Sequence, residues 1–209
     1  MKKVIMLLAV CAFGSANAQV SFKPGVKAGY SASTITGFGA DYRNNFYLGA
    51  YGNLKLTRIY NMQFELLYLR QGADNIQTVS YSYDSGNYRQ NKPVNVPLDY
   101  FSLNLINKFN FDKFNLQVGP GLDIKVSEEK IPSYIGVDNP YDSKPYSIDN
   151  NIDLTFNIGL GYNITDQFGI EVRMRQGIIQ PIYADASYNA DYSANLNRSF
   201  MVGATYTFK

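Results

Sequence analysis

Eight stretches of this chain alternate apolar and polar residues with a period of two. Successive side chains of a β-strand point to opposite faces, so each stretch builds a strand with one apolar side. The segments are 22–32, 46–56, 62–70, 98–111, 114–127, 151–164, 168–178 and 199–208. In the fifth, Phe114, Leu116, Val118, Pro120, Leu122, Ile124 and Val126 oppose Asn115, Gln117, Gly119, Gly121, Asp123, Lys125 and Ser127. The third is less regular, with Leu67 and Leu69 following Gln63 and Glu65 on the polar side. Most segments reach about ten residues, whereas a globular strand averages about five or six. A tilted membrane strand needs about nine to eleven.

The connections alternate in length. Residues 57–61, 112–113 and 165–167 are tight, while 33–45, 71–97, 128–150 and 179–198 are long and rich in Tyr, Asn, Asp, Ser and Pro. Outer-membrane barrels have an even strand count, short periplasmic turns and longer external loops. The pattern therefore predicts an all-β fold, an eight-stranded antiparallel up-and-down transmembrane β-barrel with both termini on the short-turn side. Closure removes the open edges that lipid does not tolerate.

Residues 1–18 read as a cleavable secretory signal. Lys2 and Lys3 precede an apolar run over 4–13, and Ala16 and Ala18 are the small residues that a signal peptidase reads. Residues 19–209 form the expected barrel domain, roughly 190 residues and one domain. Cys11, the only cysteine, falls inside the signal, which leaves the barrel without thiol or disulfide. With Lys2 and Lys3 removed, the 19 basic residues fall level with the 17 acidic ones. That balance offers no basic stripe for nucleic acid. Histidine is absent, so neither a His general base nor a His metal site is available. Asp138, Asn139 and Asp142 lie close together but lack calcium-loop spacing. We expect no cofactor, no metal and no enzymatic activity.

Periodicity alone does not say which face points outward. A soluble barrel with an apolar cavity needs an exterior dense in Lys and Glu. Here the polar face is mostly Gly, Asn, Ser and Thr, which suits a crowded lumen. Aromatic residues recur near the segment ends: Phe22, Tyr30, Phe46, Tyr68, Phe109, Phe111, Phe114, Tyr162, Phe168, Tyr206 and Phe208. Membrane barrels carry such rings at both interfaces. The expected location is the bacterial outer membrane, as a monomeric barrel in contact with its lipid.

The lumen charges are Lys27, Lys55, Glu65, Lys108, Asp123, Lys125, Asp153, Glu171, Arg173 and Arg175. Both signs are present, and two readings stay open: a polar conduit for small ions, or a packed plug whose charges neutralise one another. The loops offer Tyr81, Tyr83, Tyr88, Tyr134, Tyr141, Tyr146, Tyr183, Tyr188 and Tyr192. Tyr gives large amphipathic contact area at low entropy cost, so these rings suit an envelope protein or a glycan. The alternative is that they pack among themselves or extend the interface girdle.

Residues 100–121 read Tyr-Phe-Ser-Leu-Asn-Leu-Ile-Asn-Lys-Phe-Asn-Phe-Asp-Lys-Phe-Asn-Leu-Gln-Val-Gly-Pro-Gly. This hairpin resembles that of PorT-like outer-membrane β-barrel proteins of the Bacteroidota. Their fourth strand resembles Tyr-Leu-Glu-Ile-Pro-Leu-Leu-Leu-Lys-Tyr, and a Gly-Pro follows in the fifth. Tyr100, Leu103, Leu105, Ile106, Lys108, Phe109, Gly119 and Pro120 fit it, while Ser102 and Asn104 replace its Glu and Pro. Residues 25–31 and 203–209 are similar to the family's first and last strands. The resemblance implies a barrel, linked in some members to secretion or gliding machinery. Tyr206 and Phe208 resemble the terminal signal by which the barrel-assembly machinery recognises its substrates; Phe208 is also simply a final lipid-facing residue. Functionally we expect a scaffold that binds partners through its external loops. The alternative is a narrow porin-like channel for ions or small solutes; a third reading is a hydrolase or acyltransferase that uses Ser and carboxylates without His.

Overall fold

The computed structural model describes residues 21–37, 39–76, 79–82, 87–90, 93–128, 151–179 and 195–209. Within them the strands are β1 (Ser21–Ile35), β2 (Asp41–Lys55), β3 (Tyr60–Ile76), β4 (Val79–Ser82), β5 (Asn87–Gln90), β6 (Val94–Phe111), β7 (Phe114–Glu128), β8 (Ile152–Asn163), β9 (Phe168–Gly177) and β10 (Asn197–Thr207). Eight of these close into one antiparallel barrel in the order β1-β10-β9-β8-β7-β6-β3-β2, and β4 with β5 forms a separate hairpin. Every periodic segment of the sequence falls on one barrel strand. Residues 1–18, read as a signal, lie outside the described residues.

The short connections owe their shape to local hydrogen bonds. In Leu56-Thr57-Arg58-Ile59-Tyr60, the Leu56 and Thr57 amides donate to the Tyr60 carbonyl at 3.1 and 3.0 Å. Thr57 Oγ1 in turn accepts from the Ile59 and Tyr60 amides at 3.3 and 3.0 Å. Ile164-Thr165-Asp166-Gln167-Phe168 repeats this arrangement, with Thr165 Oγ1 accepting from the Gln167 and Phe168 amides at 3.2 and 2.9 Å. Threonine hydroxyls turn a chain in this way because they supply the acceptor that a tight turn otherwise lacks. Between β6 and β7 the chain reverses at Asp112, whose φ of 56° is a conformation that Asp tolerates better than most residues.

On the other side the strands run further than the alternation shows. β1 continues to Ile35 and β2 begins at Asp41, so the connection expected over 33–45 shrinks to residues 36–40. Likewise β3 continues to Ile76, β6 begins at Val94, and much of the loop expected over 71–97 is strand. The extensions are missed because Ile35, Ala73, Ile76 and Val96 all turn inward, in stretches where the outward residues are also polar or small.

The two faces divide sharply. Val26, Leu66, Leu103, Phe156, Leu160, Val172 and Val202 lie exposed on the outer wall. Lys27, Gln63, Glu65, Asn104, Gln117, Asn157 and Arg173 are buried inside. A soluble protein does not surround itself with a continuous apolar band, whereas lipid tails demand one. Aromatic rings border this band at both ends. Toward the short turns, Tyr60 packs on Phe109, Phe114 on Tyr162 and Phe168 on Tyr206, with ring centroids 5.4, 4.9 and 4.8 Å apart. Toward the loops, Phe46 meets Tyr68 at 6.4 Å and Tyr68 meets Phe101 at 5.8 Å.

Candidate functional site

Position around the ring decides which inward side chains meet. Counted along the strand order, β9 and β3 stand diametrically opposite. Arg173 on β9 reaches across to Glu65 on β3 with two bonds, Nη1 to Oε2 at 2.6 Å and Nη2 to Oε1 at 2.9 Å. Lys27 on β1 joins both sides, with Nζ 2.8 Å from Glu65 Oε1 and 2.6 Å from Glu171 Oε1. Gln63 Nε2 donates to Glu65 Oε1 at 2.6 Å, and Arg173 Nη2 donates to Gln117 Oε1 at 2.7 Å. Two cations and two carboxylates thus form one neutral knot across the barrel. The bidentate geometry is what makes a buried ion pair tenable against its desolvation cost.

A second tier lies toward the loops. Arg175 Nη2 donates to Asp123 Oδ1 at 2.7 Å, Ser102 Oγ at 3.0 Å and Thr155 Oγ1 at 3.1 Å. A third tier follows, in which Asn197 Nδ2 on β10 donates to Tyr100 Oη on β6, again opposite, and to Asp153 Oδ2, both at 3.3 Å. Asp153 Oδ1 also accepts from the Ile179 amide at 3.1 Å.

An apolar layer accompanies these tiers. Leu67, Leu69, Tyr47, Tyr100, Met201, Leu98, Val96, Ile76, Ala73 and Ile35 form a buried cluster inside the barrel, on its loop-facing half. The lumen is therefore not filled by hydrophilic groups alone. Leu67 and Leu69 share the parity of Gln63 and Glu65, and that parity was the one signal in the sequence for an apolar lumen half.

Of the charges expected in the lumen, Lys27, Glu65, Asp123, Asp153, Glu171, Arg173 and Arg175 are buried there. Lys125 is half-buried on the lumen side of β7. Lys108 is half-buried and donates to Gln63 Oε1 at 3.1 Å. Lys55 is exposed and belongs to no tier, because it is the last residue of β2 and stands at the mouth. There the lumen opens into a vestibule of about 510 Å³ on the short-turn side, lined by Lys55, Lys108, Tyr51, Asn53 and Thr207 among others.

Two of the nine loop tyrosines fall within the described residues. Tyr81 and Tyr88 are cross-strand partners in the β4–β5 hairpin. Tyr83, Tyr134, Tyr141, Tyr146, Tyr183, Tyr188 and Tyr192 lie outside the described residues, as do Asp138, Asn139 and Asp142. Among the described residues no group of Asp or Glu is arranged to hold a metal ion.

An apolar belt between two aromatic girdles, closed around a hydrogen-bonded interior, defines an integral outer-membrane β-barrel. The model of the outer membrane protein beta-barrel domain family matches residues 4–208, and the chain belongs to that family. It resides in the bacterial outer membrane. Two solved structures show the same fold. Ail, the attachment invasion locus protein of Yersinia pestis, determined in complex with the heparin analogue sucrose octasulfate, is 16% identical, with 90% of this chain and 99% of that chain covered and a TM-score of 0.50. Neisserial surface protein A is 12% identical, with the same coverage of 90% and 99% and a TM-score of 0.50. No curated protein matches the chain significantly in sequence.

Proposed function

We propose that this chain is a non-enzymatic scaffold of the PorT-like kind, which holds external loops above the membrane for a protein or glycan partner. The observation that carries this reading is the Arg173–Glu65 bridge between opposite strands, backed by two further tiers and the apolar layer. A lumen crossed in this way supplies rigidity rather than passage, which leaves recognition to the loops. Ail, a barrel of the same fold, has been determined with a polyanionic ligand, so the fold is compatible with a glycan partner. Affinity capture from solubilised envelopes tests the reading. The full chain should retain a partner that the chain lacking residues 129–150 loses, and capture indifferent to the loops would count against it.

The channel reading draws on the open vestibule on the short-turn side. Planar-bilayer recording separates the two: the scaffold gives no stable conductance steps, and a porin-like channel gives regular ones.

A further inference from the structure

The short-turn vestibule carries a charge imbalance that the rest of the barrel does not. Lys23, Lys55, Arg58, Lys108 and Lys113 line it against two carboxylates, Asp112 and Asp166. Among the described residues none of these five cations forms an ion pair. For Lys108 the knot just above explains why: Lys27 bonds both Glu65 and Glu171, while Arg173 bonds Glu65 and lies 3.5 Å from Glu171. Lys108, at the floor, is left with the neutral amide of Gln63.

Strand register sets the cations side by side with acceptors. Lys55 pairs with Asn61 across β2 and β3, and Asn61 pairs with Lys108 across β3 and β6. Two ammonium groups therefore flank one amide on three adjacent strands. Asn53 and Asn61 line the vestibule, and among the described residues their buried Oδ1 atoms have no hydrogen-bond partner. Buried acceptors of this kind are costly when unmatched, and ligand hydroxyls are donors of the right type. The volume of about 510 Å³ lies in the range of sites for small organic ligands.

We propose that the vestibule binds a small hydroxylated organic phosphate from the periplasmic side. Lys55 and Lys108 hold the phosphate, whose double charge and three acceptor oxygens suit two ammonium groups. Rotation of the Asn53 and Asn61 amides turns their unmatched Oδ1 atoms to accept from hydroxyls of the ligand. A free solute fits better than a lipid headgroup, because the cavity is walled by inward faces while acyl chains lie outside the ring.

The test uses the full-length barrel domain, refolded in zwitterionic detergent and titrated with glucose 6-phosphate. Amide NMR shifts at Asn61, Lys108 and Thr205 report occupancy, and calorimetry gives the affinity. Saturable shifts confined to these strand ends are expected, with no response to glucose and weaker binding of inorganic phosphate. Lys108→Gln and Lys55→Gln should each weaken binding by about tenfold, and Arg198→Gln at the far end should leave it unchanged. Lys55 is exposed, so its variant reports on binding even if Lys108→Gln fails to fold. Shifts that do not saturate, or that persist undiminished in Lys55→Gln, would overturn the site. Inorganic phosphate binding as tightly as the sugar phosphate would overturn the hydroxyl contacts.

Discussion

Glu65 is buried beneath three donors, Lys27, Arg173 and Gln63, which reach it from β1, β9 and its own strand. Truncating it leaves Lys27 and Arg173 to share Glu171, which lies 3.5 Å from Arg173 Nη2. Uncompensated buried charge is the expensive outcome, so Glu65→Ala should destabilise the barrel by about 3–5 kcal/mol. Equilibrium urea unfolding in lipid vesicles measures this, and adding Arg173→Ala should cost less than the two single changes summed, because they remove one shared interaction. A second residue-scale device pairs inward tyrosines with glycine. A side chain at Gly203 would run into the hydroxyl end of Tyr47, and one at Gly25 would run into Tyr51. Gly203→Val should cost about 1–3 kcal/mol through forced repacking, read in the same unfolding assay. The charges of the knot were legible from alternation alone. Their partners were not, because parity gives a face and says nothing about which strand stands opposite.

At the scale of the strand, one outward position shows what the apolar face is for. Val172 lies in the middle of β9, flanked by Leu160 of β8 and Val202 of β10. All three side chains are exposed on the wall. At mid-bilayer an arginine costs about 2–4 kcal/mol, falling to about 0–1 near the interface. Val172→Arg should therefore destabilise strongly and Val126→Arg, near the loop end of β7, only slightly. Equal losses in vesicle unfolding would contradict the assigned belt. The strands themselves were readable because a membrane barrel imposes polar-in and apolar-out on every residue of the wall. Where that rule lapses, the pattern weakens. Leu67, Leu69 and Ile106 point inward with almost no exposure, and parity with Gln63, Glu65 and Lys108 is the one mark that separates them in sequence from residues facing lipid. The β4–β5 hairpin lies in a stretch whose sequence reads as loop, because its strands are only 4 residues each, too short for a period to emerge.

Closure is the property of the whole molecule, and it depends on the last strand to arrive. β10 pairs with β1 from Gly25↔Thr207 to Ile35↔Asn197, so the ring stays open until the end of the chain is in place. The seam ends with the Phe208 amide donating to the Pro24 carbonyl at 2.8 Å. The Phe208 ring is exposed and meets Tyr206 edge-on at 5.4 Å, and Tyr206 packs in turn on Phe168. Phe208→Ala keeps the backbone bond and removes only an exposed ring, whose aromatic contact is worth about 0.5–1.5 kcal/mol. Refolding into vesicles should therefore succeed, with stability lowered by no more than that. The terminal aromatic has a second expected role, recognition by the assembly machinery, which spontaneous refolding does not require. If that role holds, the amount of heat-modifiable, folded barrel in the outer membrane of cells should fall several-fold while the refolded protein is nearly unchanged. Equal amounts of variant and parent in the membrane would show that Phe208 serves only as the last ring of the girdle.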